Sequence, residues 1–199
     1  MRAPDLRETL KAAVRAASAP SSDFDLNPGT ILPEGRVLRE AGVLVGVVAG
    51  ERPAVLLTKR ASGLKHHPGQ IAFPGGKVDP GDDGVVGAAL REAEEEIGLP
   101  RDLVEVLGTL PPHETVTGYR VTPVVGWISQ AVTPVPEEGE VAEAFSVPVD
   151  HVTDPARFVI ESRIWRGRPR RYYAVPWGPY YIWGATARIL RVVADRMRD

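Results

Sequence analysis

The segment 85–97 constrains the chain most, because helical periodicity and a dense group of acidic residues coincide there. Four apolar side chains recur at three- and four-residue steps and share one face, at about 100° per residue: Val86, Leu90, Ala93 and Ile97. Gly98 suits the left-handed position after a last helical turn, and Pro100 prevents continuation. We predict a helix that packs this apolar face against the core.

Three carboxylates of this helix, those of Glu92, Glu95 and Glu96, are spaced i, i+3 and i+4 on a face turned away from the apolar residues. Like charges at this spacing destabilise a helix unless something offsets them. A hard divalent cation with oxygen ligands does so. Glu94 falls on another side and is expected to be an ordinary exposed acid. Because most acidic runs on helices are solvated faces, the helix alone does not establish a metal site.

A glycine-rich loop precedes the helix. Gly75 and Gly76 follow Phe73-Pro74 and lead through Lys77 into a stretch rich in proline and aspartate. Glycines let backbone carbonyls and amides approach a ligand closely. A double glycine by itself indicates only a tight turn, but beside the acidic helix it indicates a ligand site.

Together these segments resemble the box of the Nudix hydrolases, Gly-x5-Glu-x7-Arg-Glu-U-x-Glu-Glu-x-Gly-U, in which U is aliphatic. The segment that begins at Arg91 matches the second half, with Ala93 at the first aliphatic position. The first half differs, since Gly76 lies fifteen residues before Arg91 rather than fourteen. The expected glutamate is replaced by Asp82 or Asp83, depending on the end from which one counts. Alternatively, either aspartate caps the helix.

A second resemblance, to the coenzyme A diphosphatase branch of that family, covers roughly residues 37–190. The longer box loop is typical of this branch, and the matching residues are Leu56-Leu57-Thr58-Lys59-Arg60-Ala61, Lys65, Gly69, Phe73-Pro74-Gly75-Gly76 and Trp183-Gly184-Ala185-Thr186-Ala187. The branch usually has arginine where this chain has Lys65, which keeps the charge and loses the bidentate fork. The resemblance implies that these residues contact the substrate: Arg60, Lys65, Gly75, Gly76 and Lys77.

The resemblance also implies a cofactor, Mg²⁺ or Mn²⁺, held by Glu92, Glu95 and Glu96 with the backbone carbonyl of Gly76 as a further ligand. Such a metal neutralises the diphosphate and lowers the pKa of the attacking water. Glu92 and Glu95 then count among the catalytic groups. Arg91 is expected to orient a neighbouring glutamate rather than touch the substrate.

The general base is less clearly marked in the sequence, because Nudix enzymes differ in which acid serves. Glu140, in the acidic run 137–143, is the distal candidate, either as the base or as an extra metal ligand. Glu143 is the second choice. For any single acid in that run, a solvated loop is the better interpretation.

The resemblance implies an α+β fold, an α/β/α sandwich with a mixed β-sheet between helices. Periodicity predicts further helices over 5–17 and 180–197. Strand patterns cover 36–49, 54–58, 103–110, 120–128 and 142–149, with a hairpin within 158–175. Residues 1–35 are interpreted as an N-terminal helix and irregular arm, and 36–199 as the hydrolase domain, in one globular unit. The arm, residues 18–35, is a candidate contact element of a homodimer.

Two further features have ordinary explanations. Basic and apolar residues alternate around Arg168, which predicts a hairpin with one solvated face, and phosphate binding there is less favoured. The aromatic residues between 172 and 183 are expected in the core rather than stacked on adenine.

The implied reaction converts coenzyme A into 3′,5′-ADP and 4′-phosphopantetheine, or an acyl derivative into acyl-phosphopantetheine. Two alternatives stay open: a Nudix pyrophosphatase for ADP-ribose, NADH or another nucleoside diphosphate derivative, and a non-catalytic nucleotide-binding domain. The net charge of −2 and the pI near 6.1 favour a small-molecule substrate over nucleic acid or an anionic membrane. The absence of cysteine excludes disulfides and thiolate metal sites, and a reducing cytoplasm is the expected location.

Overall fold

A computed structural model describes residues 3–17, 19–32, 34–64, 67–165 and 167–198. Across these residues, nine strands join into one mixed sheet and two more form a separate antiparallel hairpin. No helix in this part of the chain is long and apolar enough to cross a membrane.

Every predicted strand is present, and the structure adds several short strands. In chain order they are β1 (Ser21–Ser22), β2 (Arg39–Val48), β3 (Ala54–Arg60), β4 (Ile71–Ala72), β5 (Gly75–Lys77), β6 (Glu105–Thr109), β7 (His113–Glu114), β8 (Tyr119–Ile128), β9 (Val141–Pro148), β10 (Val159–Trp165) and β11 (Arg168–Ala174). β2 pairs in parallel with β8 and antiparallel with β3 and β5, so the sheet is mixed.

The helices are α1 (Ala3–Arg15), α2 (Gly84–Ile97), α3 (Val149–Val152) and α4 (Ala185–Arg196). Two short 3-10 turns lie at Arg101–Leu103 and Pro155–Arg157. α2 ends as predicted, because Gly98 adopts φ +64° and its N–H donates to the carbonyl of Glu94 at 3.0 Å.

The predicted start of the last helix at Tyr180 is wrong. Trp183 forms an isolated β-bridge with Ala174, and Gly184 adopts φ +66°. The chain therefore runs beside the end of β11 before α4 begins at Ala185. Helical periodicity continues into this stretch, but pairing with the end of β11 overrides it.

Helices cover both faces of the sheet. Neighbouring side chains on a strand point to opposite faces, so two adjacent residues of β2 show which helices lie on each face. Leu44 packs on one face with Ile97 of α2. Val45 packs on the other face in a cluster that contains Leu10 of α1 and Leu190 of α4. This layering confirms the predicted α+β fold with a mixed sheet between helices.

A glycine on β2 lets α2 lie directly on the sheet. A side chain at Gly42 would collide with the backbone carbonyl of Val85 in the first turn of α2. β5 pairs with the same strand, and α2 contacts both β2 and β5. The acidic side of α2 is thereby brought against the glycine loop.

The described part of the arm packs against its own chain. Ser21 lies opposite His113 in the parallel pair of β1 and β7, and its Oγ is 2.9 Å from His113 Nδ1. Asn27 exchanges two hydrogen bonds of 2.9 Å with the backbone of Arg171 in β11. The arm thus supports the hairpin of β10 and β11, and its role in a homodimer stays a prediction.

Candidate active site

Arg91 lies at the centre of the acidic side of α2. Its Nε donates to Asp82 Oδ1 at 2.8 Å and its Nη2 to Oδ2 at 3.0 Å. Its Nη1 donates to Glu92 Oε1 at 3.0 Å and to Glu95 Oε2 at 2.9 Å. Nη2 also reaches the carbonyl of Lys77 at 3.2 Å. One guanidinium thus ties the glycine loop to two of the three carboxylates, which is the arrangement that its expected orienting role requires.

The two aspartates of the loop have different surroundings. The Asp82 side chain is 4% exposed, and besides Arg91 it accepts the N–H of Asp79 at 2.8 Å. The hydrogen bonds from Arg91 lower the pKa of Asp82 to about 2. Asp83 occupies the N-cap position of α2, but its side chain makes no capping hydrogen bond. Asp82 is therefore the aspartate that bonds Arg91, and neither aspartate caps the helix through its side chain.

Glu96 differs from its expected environment. The helical spacing predicts a side chain turned away from the core, but only 6% of Glu96 is exposed, and its Oε2 accepts the N–H of Gly75 at 3.1 Å. Burial raises the pKa of Glu96 to about 7; the Gly75 hydrogen bond and the charge of Arg60 oppose this shift, whereas the charges of Glu92 and Glu140 add to it. A cation beside this carboxylate would favour its charged form.

Glu92 packs against Gly76. A Cβ at Gly76 would collide with the Glu92 carboxylate, so glycine leaves the space that this group fills. Burial raises the pKa of Glu92 above its ordinary value; the hydrogen bond from Arg91 opposes the shift, and the charges of Glu95 and Glu140 add to it. The charges of these acids thus oppose one another at Glu92, and a bound cation would favour their charged forms.

The register of β5 against β2 determines which glycine carbonyl faces the acids. Gly76 lies opposite Gly42, and two residues along the same ladder Leu44 N–H donates to the carbonyl of Pro74 at 2.8 Å. Because hydrogen-bonded pairs alternate along antiparallel strands, the Gly76 carbonyl is directed at β2. The N–H of Gly75 points the other way, toward α2. The carbonyl of Gly75, on that same edge of the extended strand, is therefore better placed for a ligand than the expected Gly76 carbonyl.

The donor chemistry fits a hard divalent cation, although the side chains are not gathered around one point. Within the described ranges, no three Asp, Glu or His side chains are grouped closely enough to hold a metal ion. Glu92 and Glu95 both turn toward Arg91, and Glu95 remains 57% exposed and able to rotate. Glu94 is exposed and pairs with Arg101 at 2.7 Å, as an ordinary surface acid does.

The two distal acids lie in different places. Glu140 is exposed, and its charge acts on both Glu92 and Glu96, so its turn lies next to the acidic side of α2. Glu143 is half-buried and accepts the hydroxyl of Tyr180. Of the pair, Glu140 is the acid that the fold brings to the site.

A cavity of about 250 Å³ adjoins the acidic residues at Gly75, which lines it together with Arg60. Arg60 Nε is buried, and no described residue accepts a hydrogen bond from it. Lys77 instead pairs with Asp79 at 3.0 Å and is 64% exposed. Lys65, the remaining basic residue expected to contact substrate, lies outside the described residues.

Arg163, Tyr172 and Trp183 line the cavity wall, although the sequence pattern favoured a solvated hairpin for the first and the core for the two aromatic residues. The expected core position is wrong for Tyr172 and Trp183. The Arg163 guanidinium carbon lies 4.2 Å from the ring centroid of Trp183 and 6.0 Å from that of Tyr172. Other aromatic residues of this region do pack against the core as expected, namely Tyr173, Trp177 and Tyr180. The sequence feature that could have indicated this part of the cavity is the segment that begins at Trp183, because it resembles the coenzyme A diphosphatase branch.

Comparison with known proteins gives concordant results. The NUDIX domain family matches residues 38–173. A protein of Enterobacter sp. (strain 638), described as an uncharacterized Nudix hydrolase NudL, is 44% identical over 156 residues, 78% of this chain and 81% of its own. A protein of the same description from Salmonella heidelberg (strain SL476) is 42% identical over 173 residues, 87% and 90% of the two chains. The crystal structure of a MutT/nudix family protein from Enterococcus faecalis superposes with a TM-score of 0.52 at 16% identity, over 95% of this chain and 72% of that one, which supports the fold.

Proposed function

The chain belongs to the Nudix domain family, and we propose that it hydrolyses the diphosphate bond of coenzyme A or an acyl derivative, giving 3′,5′-ADP and 4′-phosphopantetheine or its acyl form. At the level of the family it is a Nudix hydrolase that acts on a diphosphate bond, and such enzymes typically need divalent metal ions. The narrower substrate assignment rests on residues around the cavity.

The observation that carries the proposal is Arg60, which lines the cavity together with Gly75 and has a buried Nε. Leaving a buried donor such as its Nε without a partner costs about 1–3 kcal/mol, and no described residue supplies one. Guanidinium groups bind phosphate through short, charge-assisted hydrogen bonds. A diphosphate that spans from Arg60 to the acidic side of α2 would pair with this guanidinium. Lys65 and Lys77 are proposed as further contacts of the same substrate.

We assign Glu92, Glu95 and Glu96 as the ligands of Mg²⁺ or Mn²⁺, with the backbone carbonyl of Gly75 in place of that of Gly76. When bound, the cation neutralises nonbridging oxygens of the diphosphate and lowers the pKa of the attacking water. The burial of Glu96 supports this assignment, because a partly dry carboxylate interacts more strongly with a cation than a solvated one does.

Two other residues complete the proposed machinery. Arg91 is a positioning residue, because both Glu92 and Glu95 are hydrogen-bonded to its Nη1. Glu140 is proposed as the general base or an additional ligand, since it is the distal acid whose charge reaches Glu92 and Glu96. Its exposure leaves it accessible to water.

The test is hydrolysis of coenzyme A with Mg²⁺ or Mn²⁺, beside ADP-ribose and NADH, with the products resolved by chromatography. We expect release of 3′,5′-ADP from coenzyme A, loss of this activity in Glu96→Gln, and little change in Glu94→Gln. The second variant is a matched control, because Glu94 is on the same helix and pairs with Arg101 at the surface.

Hydrolysis of ADP-ribose or NADH without hydrolysis of coenzyme A would support a metal-dependent diphosphate hydrolase and overturn the coenzyme A assignment. Binding of nucleotides without metal-dependent turnover of any of the three would instead support the non-catalytic alternative.

A further inference from the structure

We propose that Arg163 of the hairpin is a specificity-determining residue that binds a second phosphate group, carried on the ribose of the substrate and separate from the diphosphate. This inference rests on the proposed function for the position of the diphosphate. It concerns a part of the cavity lining that does not include the acidic residues.

Arg163 and the diphosphate site share one cavity. Arg60 and Gly75 line the end beside the acidic residues, and Arg163 lines the wall formed by the hairpin and Trp183. The cavity volume of about 250 Å³ is below the roughly 300–1,000 Å³ of pockets that enclose a whole drug-sized ligand. It therefore suits one part of a larger substrate, such as its nucleoside end, with the remainder outside.

The charges on the hairpin are unbalanced in a way that favours an anion. Arg163 and Arg170 lie directly opposite each other on β10 and β11, and like charges in this position destabilise a strand pair. Asp23 of the arm pairs with Arg170 at 3.1 Å. Arg163 has no carboxylate within ion-pair distance in the described part of the chain, so the hairpin keeps one uncompensated cation at the cavity.

Aromatic rings hold this cation in place. The Arg163 guanidinium carbon lies 4.2 Å from the ring centroid of Trp183, and Tyr172 flanks it at 6.0 Å. Such contacts restrict a guanidinium while leaving its N–H edge available for hydrogen bonds. A phosphate monoester accepts several such bonds, whereas a ribose hydroxyl offers only one weaker neutral partner.

The contribution of the ribose phosphate is measured by comparing coenzyme A with 3′-dephospho-coenzyme A. The latter keeps the diphosphate and lacks only the ribose phosphate. Steady-state kinetics of both substrates would be measured for the wild type, Arg163→Gln and Arg168→Gln. Arg168 is the matched control, because it is an exposed arginine of the same hairpin that does not line this cavity. Thermal unfolding of each variant verifies that the hairpin substitution leaves the fold intact.

We expect the wild type to prefer coenzyme A, and Arg163→Gln to lower kcat/KM for coenzyme A by about 10-fold or more, as expected for a lost hydrogen bond to a charged group. The same variant should change dephospho-coenzyme A by less than about twofold, and Arg168→Gln should change neither. Equal losses on both substrates, or no preference in the wild type, would overturn the proposal.

If neither substrate is hydrolysed, the proposed function fails, and binding still decides this inference. Calorimetric titration with 3′,5′-ADP and with AMP would be carried out on the wild type and on Arg163→Gln. Tighter binding of 3′,5′-ADP that disappears in the variant supports the second phosphate site, and equal binding of the two nucleotides by the wild type overturns it.

Discussion

Arg91 holds Asp82 by two parallel hydrogen bonds, from Nε to Oδ1 at 2.8 Å and from Nη2 to Oδ2 at 3.0 Å. The fork geometry of the guanidinium matches the carboxylate, and the Asp82 side chain is almost fully covered. The pair connects the loop after β5 to the helix that bears the acidic residues. The orientation of Arg91, and through it that of Glu92, therefore depends on an aspartate six residues beyond Gly76.

Asp82→Asn should lower kcat by about 10- to 100-fold, the range found when a residue that orients metal ligands is lost. The expected reason is that an amide cannot accept both guanidinium bonds, so Arg91 loses its fixed position. Asp83→Asn is the control, because Asp83 makes no side-chain capping bond. Equal effects of the two substitutions on turnover would contradict the assignment of Asp82 as the partner of Arg91.

Arg91→Lys tests whether the charge or the shape of the residue matters. Lysine keeps the positive charge but cannot bond Asp82, Glu92 and Glu95 at the same time. We expect kcat to fall by about 10-fold or more and the KM for the substrate to change little, because Arg91 is bonded to protein groups. A raised KM at unchanged kcat would show instead that Arg91 contacts the substrate. The measurement is steady-state kinetics at saturating Mg²⁺.

Gly76→Ala should impair activity without unfolding the protein. The added Cβ would collide with the end of the Glu92 side chain, which can move away, so the carboxylate is displaced while the backbone stays in place. Gly81→Ala is the control, because nothing lies within 4 Å of a Cβ at that position. We expect reduced turnover and a higher Mg²⁺ requirement in Gly76→Ala, with both variants melting near the wild-type temperature. Full activity of Gly76→Ala would argue against a role for Glu92.

The sequence predicts the local features of the site better than the features that depend on distant contacts. The helix α2 and its end at Gly98 follow from the local sequence alone, and both are present. The burial of Glu96 does not follow from spacing, because it depends on β5 lying against α2, with Gly75 donating to the carboxylate. A helical projection contains no information on that contact.

The hairpin illustrates the same limit. Its turn was predicted and the two strands form, but the alternation of basic and apolar residues does not reveal which arginine faces a cavity. Asp23, from the arm far earlier in the chain, neutralises Arg170, whereas no carboxylate among the described residues pairs with Arg163. That difference between two similar residues arises only when the arm folds onto the hairpin.

The metal-free protein should become less stable as pH rises, because of Glu96. Burial raises the pKa of this group from 4.5 to about 7, so the folded state binds a proton more tightly than the unfolded chain does. Its contribution is fully present below pH 4.5, is lost as pH rises toward 7, and is constant above that. The full shift corresponds to about 3 kcal/mol at most.

The measurement is chemical unfolding in EDTA at several values between pH 5 and pH 8, on the wild type, Glu96→Gln and Glu94→Gln. Glutamine resembles the protonated acid, so Glu96→Gln should gain stability over the wild type as pH rises, by about 1–3 kcal/mol at pH 8. Glu94→Gln should follow the wild type, and histidine titration cancels because all three proteins share it. Saturating Mg²⁺ should reverse the order at pH 8, since the wild type then gains the binding free energy that the variant lacks. Parallel pH profiles for the wild type and Glu96→Gln would show that the buried carboxylate keeps an ordinary pKa.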